Sequence, residues 1–428
     1  MAVRHGYGKV AGTDALVFAY DTGDTRNSYK GEPTTNVISQ PHNILSGYSN
    51  GDGILRASGT NLNFTGEYNA GTITRLSTGT GTWCAYVGSV AGVASGVQFT
   101  TTWYLKAGSI SSVFISWGGA HTGTRTSLTL NLITGAVTGA SVASGEYYRI
   151  RQEKNGYYAI EYSSTLTGTN YFPQITLNSQ GYIIFGGIQV EKKSHATPFT
   201  AGTRSATQGL KDLTGNTSID LTNAGFDSNA QLDFDGTNTY IPKFTDSRFQ
   251  FADTDLTYEV VVNFNSNPDS YQTLIGLADT NDYIPRFNLS KFRSGTGTNG
   301  KVGNVYMQLI DQNGSGITAG DPDLSGADLV AGGYYHYVGV ISKPAGSSTY
   351  YVYLYRNGEL VTTTNSGRTT YDTTQGVQGS IGLAIGTQFG STASVLDGQL
   401  PVAKIYNRAL TAGEVKNNYR NYKGRFNI

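Results

Sequence analysis

Val97-Gln98-Phe99-Thr100-Thr101-Thr102-Trp103-Tyr104-Leu105 sets Val97, Phe99, Trp103 and Leu105 on one side of an extended chain, because successive side chains of a strand point to opposite faces. The same alternation recurs in Ser112-Val113-Phe114-Ile115-Ser116-Trp117, in Gly181-Tyr182-Ile183-Ile184-Phe185-Gly186 and in Tyr258-Glu259-Val260-Val261-Val262-Asn263-Phe264. Gly, Ser, Thr, Asn and Asp bound these runs, which is the pattern of many short antiparallel strands. The expected class is all-β. Two Asn-Gly pairs, Asn155-Gly156 and Asn357-Gly358, supply the positive φ angles of two-residue hairpin turns. Turns of that length place Glu153 opposite Tyr158 and Glu161 opposite Ile150. At the second hairpin they place Tyr355 opposite Leu360, Leu354 opposite Val361 and Tyr353 opposite Thr362.

Composition narrows the function classes. Charged residues make up 14% of the 428, with 56 Gly and 30 Tyr, against roughly 25% charged in an ordinary chain, which excludes a coiled coil. Thirty basic residues balance thirty acidic ones, so no global field exists to hold nucleic acid. Met1 to Ala11 contains Arg4, His5 and Lys9 and no apolar run, and no later segment reaches ~18 unbroken apolar residues. The expectation is a chain without an export leader or membrane insertion. Cys84, the single cysteine, cannot form an internal disulfide and reads as a small buried hydrophobe.

One helix closes the chain. Thr411 and Glu414 have capping-box spacing, Val415, Tyr419 and Tyr422 follow at helical spacing, and Gly424 is the expected C-terminal cap. Ala196 to Arg204 carries Pro, Gly and small residues without periodicity, marking a boundary between two β-rich blocks. No fixed-period repeat crosses it.

Chemistry is sparse. Glycosidases need two carboxylates about 5 to 10 Å apart. Of nine glutamates, the nearest pair, Glu153 and Glu161, falls on opposite faces in the register above. There is no His-Glu-x-x-His helix, Gly-x-Ser-x-Gly elbow or phosphate-binding glycine loop, so no catalytic residue is expected and the chain reads as a non-enzyme. His336, between tyrosines on a strand, reads as a structural histidine with a satisfied hydrogen bond. No cofactor is called for. A structural calcium ion is the one metal raised, by Asp235, Asp279, Asp282, Asp321, Asp323 and Asp397, and turn-forming aspartates explain these equally well. Trp83, Trp103 and Trp117 alternate in phase with core residues. Tyr351, Tyr353 and Tyr355 instead form a row with Thr362 and Thr364, the candidate ligand-binding face, with a cross-strand ladder as the competing reading.

Several ordered segments carry a resemblance. Leu232 to Ile241, Tyr334 to Val340, Leu354 to Val361 and Val402 to Thr411 resemble concanavalin-A-like, laminin-G-like sandwiches. The block from Asn36 to Phe199, ending in Gly187-Ile188-Gln189-Val190-Glu191-Lys192-Lys193-Ser194-His195-Ala196-Thr197-Pro198-Phe199, is similar to carbohydrate-binding-module jelly rolls of tailed-bacteriophage proteins. Arg4-His5-Gly6-Tyr7-Gly8-Lys9 and Leu16-Val17-Phe18-Ala19-Tyr20-Asp21 resemble virion proteins of marine and cyanobacterial phages. The resemblance implies two antiparallel jelly-roll β-sandwiches with a short C-terminal helix. It also implies an N-terminal arm at 1–13, a discontinuous sandwich at 14–35 plus 205–428, and an inserted jelly roll at 36–204. Val17 to Tyr20 then pairs with Val402 to Tyr406. The functional expectation is a non-enzymatic structural protein of the virion, a fibre, whisker or capsid-surface appendage. Its expected partners are other virion proteins and host surface glycans, and its expected oligomer is a homotrimer. The alternative is a carbohydrate-binding lectin-like protein or glycan depolymerase.

Overall fold

The structure, a computed structural model, describes residues 15–38, 40–86, 94–118, 126–166, 171–227, 231–278, 286–310, 316–371, 382–388 and 394–428. The expected arm at 1–13, Asp279, Asp282 and the Trp117 side chain lie outside the described residues. Two compact units emerge, one from residues 15–33 with Ser205–Ile428 and one from Thr34–Arg204.

The first unit is a two-sheet antiparallel sandwich. One sheet runs in the order Leu16–Asp21, Asp397–Tyr406, Leu256–Phe264, Tyr334–Ser342, Tyr351–Arg356, Glu359–Asn365, with Asp233–Asp235 also on Asp397–Tyr406. The other runs Ile241–Phe244, Gly382–Ile385, Gln272–Ala278, Arg286–Lys291, Val305–Ile310, Gly316–Gly320. Alternate residues of both meet in one core, among them Tyr258, Val260, Leu277, Phe287, Met307, Leu354 and Ile405. Leu16–Asp21 pairs antiparallel with the last strand, Phe18 opposite Ile405 and Asp21 opposite Val402, and buries Phe18 and Tyr20 completely. The chain returns beside it, because Lys30 N–H donates to the Gly209 carbonyl at 2.8 Å. Ala19 N–H donates to Asp212 Oδ1 at 3.0 Å.

The second unit is built alike. Its sheets run Val137–Ser141, Ser127–Asn131, Ser112–Gly118, Phe172–Thr176, Trp83–Tyr86, Tyr48–Asn50 and Tyr148–Gln152, Tyr158–Thr165, Gln98–Ala107, Gly181–Glu191, Tyr68–Arg75, Ile54–Leu62. Phe99, Trp103, Leu105, Phe185 and Ile188 fill its core, while Trp83 is half-buried. Cys84 is buried there, and desolvation pushes its thiol up to about 12. Thr34–Thr35 pairs with Thr203–Arg204, so the unit begins and ends at one place.

The C-terminal helix spans Ala412–Phe426 behind a Thr411/Glu414 capping box. It does not stop at Gly424 as expected. Phe426 is buried with Val261, Val402 and Tyr422, which carries the helix past the glycine to Asn427 in the left-handed conformation, φ 56°. Beneath the helix lies Glu259, wholly buried on the outer face of the first sheet. It receives His336 Nε2 at 3.0 Å, Tyr406 Oη at 3.0 Å and Asn418 Nδ2 at 2.9 Å, with Lys404 Nζ at 3.5 Å. Burial would raise its pKa, but Lys404, His336 and Tyr406 outweigh that and hold the carboxyl at about 2.

Two predictions follow from this packing. A chain of residues 205–428 lacks Phe18 and Tyr20, each worth ~3–5 kcal/mol as buried aromatics, and exposes the edge of Asp397–Tyr406. It should aggregate on expression, whereas a chain lacking only 34–204 should unfold cooperatively; a 205–428 chain with full-length stability would contradict this. A carboxyl depressed on folding stabilises the protein above its unfolded pKa of ~4.3 and ceases to do so as pH falls toward 2. Glu259→Gln, which leaves Lys404 buried without its counter-charge, should therefore cost ~3–5 kcal/mol at pH 7, and the difference from wild type in urea unfolding should shrink between pH 4.5 and pH 2.

Candidate functional site

The two Asn-Gly turns both depart from the expected register by one residue. At the first, Asn155 and Gly156 take positive φ, 59° and 78°, but Glu153 N–H bonds the Tyr157 carbonyl at 2.8 Å. Lys154 is thus bulged out, and Arg149, not Ile150, faces Glu161. The correction brings the two glutamates together, where Arg151 bonds Glu161 Oε1 through Nε at 2.7 Å and Glu153 Oε1 through Nη1 at 2.9 Å. Glu161 is wholly buried and its other oxygen takes Arg149 Nε at 2.6 Å, so it cannot reach a glycosidic bond. Burial raises the Glu153 carboxyl, with Arg151 opposing.

At the second turn the ladder keeps Tyr355 opposite Leu360, then slips at Val361. Leu354 faces Thr362, Tyr353 faces Thr363 and Tyr351 faces Asn365. Thr363 and Asn365, not Thr362 and Thr364, therefore border the tyrosine row. Tyr355 is 7% exposed and packs with Val340, Tyr406 and Val415 of the helix. Tyr351 and Tyr353 are half-buried, their rings 6.2 Å apart.

Of the aspartates raised as calcium ligands, the four described, Asp235, Asp321, Asp323 and Asp397, are committed to structure. Asp321 is buried, bonded by Arg356 Nη1 at 2.7 Å and by the Tyr337 hydroxyl at 2.8 Å, and Asp323 takes Arg356 Nη2 at 2.9 Å. Asp235 accepts the amides of Thr237, Asn238 and Thr239 in a turn, and Asp397 accepts the Ser266 hydroxyl. Among the described residues no three His, Cys, Asp or Glu side chains are grouped to hold a metal ion.

A pocket of about 230 Å³ opens instead on the outer face of the second sheet of the first unit. Phe287, Leu289, Met307 and Leu309 of its strands enter the core, so their neighbours Asn288, Tyr306 and Gln308 point the other way, with Asn288 directly opposite Gln308. Gly276 lies across from Asn288, and a Cβ there would sit 2.9 Å from that of Asn288; glycine keeps this floor low. Asn288 Nδ2 donates to Ser290 Oγ at 2.7 Å, and Gln308 Nε2 to Thr318 Oγ1 at 3.1 Å. Asn288 Oδ1 and Gln308 Oε1 are buried with no hydrogen-bond partner. Phe292 lies against Tyr306, centroids 4.0 Å apart, and Tyr271 stands 5.9 Å from Phe292 and is 37% exposed. Thr273, Gln388 and Ser394 complete the lining, Ser394 Oγ donating to Gln388 Oε1 at 2.9 Å. Among the described residues, none that lines the pocket carries a carboxylate, amine or imidazole. The pocket was missed in the sequence because its parts span residues 271 to 394 and consist of common amides and aromatics.

No curated protein matches the chain. Among solved structures, the chain is similar to the CBM40 module of the Ruminococcus gnavus IT-sialidase, at 16% identity and TM-score 0.29 over 39% of this chain and 82% of that one. It is also similar to the ligand-binding domain of botulinum neurotoxin serotype D, in complex with N-acetylneuraminic acid, at 12% identity and TM-score 0.36 over 51% and 49%. A third is the NanB sialidase of Streptococcus pneumoniae, at 17% identity and TM-score 0.29 over 38% and 24%. Residues 235–416 match the family model described as the concanavalin A-like lectin/glucanases superfamily, and the two-sheet sandwich of the first unit has that fold.

Proposed function

We propose that this is a carbohydrate-binding, lectin-like protein whose saccharide site is the pocket of Asn288 and Gln308. The observation that carries the reading is the pair of buried amide oxygens left without partners in a pocket whose described lining residues are all uncharged, with the Arg293 guanidinium 5.8 Å over the Tyr271 ring at its rim. A buried acceptor without a donor is destabilising and calls for an explanation, and sugar hydroxyls are donors that answer it. Tyr271 and Phe292 offer rings for the apolar face of a pyranose. The volume is below the ~300–1,000 Å³ of drug-sized sites, which suits a terminal sugar rather than a buried chain. The lectin/glucanase family match of residues 235–416 supports the same class.

Binding without hydrolysis is the reading the chemistry favours, since the described lining residues supply no acid and base pair. The placement of the chain on a bacteriophage particle, as a trimeric appendage touching other virion proteins and host glycans, rests on the sequence resemblance. Mass spectrometry of purified particles tests it, and absence of the chain from them would end it.

A glycan array followed by calorimetry on the best neutral ligand tests the pocket. Tyr271→Ala, at a partly exposed ring, should weaken binding about tenfold, corresponding to ~1.4 kcal/mol of stacking. Gln308→Leu, which removes an unpartnered amide oxygen from a lining residue, should weaken it at least as much. Both should keep the wild-type Tm. Unchanged affinity in both variants would place the site elsewhere.

A further inference from the structure

The geometry points to a second site, on the Tyr148–Gln152 edge of the second unit, for a saccharide whose ring carries a carboxylate; this deepens, and rests on, the glycan-binding reading. Arg149 and Arg151 share one face of that edge strand, and both are tied through Nε to the two oxygens of Glu161 at 2.6 and 2.7 Å. Their side chains remain 45% and 40% exposed, while that of Glu161 has no exposure. Arg151 spends Nη1 on Glu153, and the other three Nη nitrogens of the pair have no protein partner among the described residues.

An ion triad of this kind adds little stability over an apolar packing of the same volume, because the desolvated carboxylate offsets the attraction. What it does achieve is orientation. Two guanidiniums anchored on one carboxylate have lost their rotamer freedom before any ligand arrives, and Arg149 keeps both Nη nitrogens of its fork while Arg151 adds one. Such forks match a carboxylate in plane, with two parallel N–H···O bonds, and the ordering cost of binding is already met.

Local charge agrees with an anionic ligand. Lys154 adjoins Glu153, and Lys106 lies over the Tyr157 ring at 5.8 Å, so four cations stand against Glu153 and Glu161 in a chain whose formal net charge is zero. The next carboxylate on this face, Glu191, is buried and satisfied by Thr34, Gln189 and Thr197. Tyr147, two residues before Arg149, is half-buried with its hydroxyl fixed by Ala196 N–H at 2.9 Å, and it supplies a ring beside the arginines for a sugar to lie against.

Glucuronate and glucose, which differ at C6 by the carboxylate, are the probes, titrated against the full chain by calorimetry and ligand-observed NMR. Glucuronate should bind at least tenfold more tightly, and added NaCl should weaken it. Arg149→Gln should abolish that preference at wild-type Tm. If its Tm falls, Arg149→Lys, which keeps the charge and a donor for Glu161 but loses the fork, should fold normally and still lose most of the preference. Equal affinity for the two sugars, or a preference surviving both substitutions, would overturn the inference. So would acetate or a polyglutamate peptide binding as tightly as glucuronate, since the site would then be a general anion site. Tyr271→Ala separates the two readings: it should weaken neutral sugars and leave the affinity for glucuronate unchanged, so loss of one result does not entail loss of the other.

Discussion

Every strand in this protein has two faces, and a two-sheet core uses only one of them; what happens to the other face decides the rest of the structure. In the first sheet of the first unit, the outer face is closed by the C-terminal helix, and closure is possible because Lys404, His336, Tyr406 and Asn418 all meet the Glu259 carboxylate, while His336 Nδ1 and Asn418 Oδ1 are buried without hydrogen-bond partners. Remove the carboxylate and an ammonium is left in the dry interface between helix and sheet. Tyr355, Val415 and Phe426 can pack around that cluster only while it is neutralised.

The other outer faces are treated differently. On the second sheet of the first unit, small and amide residues keep a polar floor, and Gly276 leaves it uncrowded. On the sheet of the second unit that contains Tyr148–Gln152, a carboxylate is buried again, but its partners are arginines that stay half in water. The same device, one buried glutamate with several donors, locks a helix down in one unit and holds two side chains outward in the other. The difference lies in where it stands: Glu259 is on a central strand beneath a helix, whereas Glu161 is paired to an edge strand.

Period-two alternation is a local property, and it was legible: Tyr258, Trp103 and Phe185 lie in the cores their spacing implied. The helix start was legible too, because Thr411 and Glu414 act within one turn. Register across the turns was not. Both Asn-Gly pairs form the turn their φ angles require, yet each hairpin carries one extra residue, Lys154 in one and Val361 in the other. A bulge has no distinctive sequence, and a shift of one residue moves every side chain beyond it to the opposite face. That single effect separated Glu153 from Glu161 on paper and put Thr362 and Thr364 beside the tyrosines. The pocket was invisible for another reason, since Asn288 and Gln308 gain meaning only when their strands are neighbours and their amide oxygens are left without donors.

Asp321 is held by Arg356 and Tyr337, Glu414 by Arg408 and the Thr411 cap, Glu191 by Thr34 and Thr197, and Asp235 by three turn amides. A carboxylate that accepts several such bonds is stabilised in its charged form, as the Glu414 carboxyl at about 2 illustrates: Arg408 lowers it most, against the opposing effect of burial. A general acid needs the reverse, a proton retained near neutral pH in contact with substrate. Burial pushes Glu153 and Asp233 upward; Glu153 stands beside Glu161, whose two oxygens are already taken, and Asp233 accepts from Gln399 and Asn265. The arrangement leaves the arginines, not the carboxylate that anchors them, as the groups that face solvent at this edge, and it spends Glu161 on holding them in place.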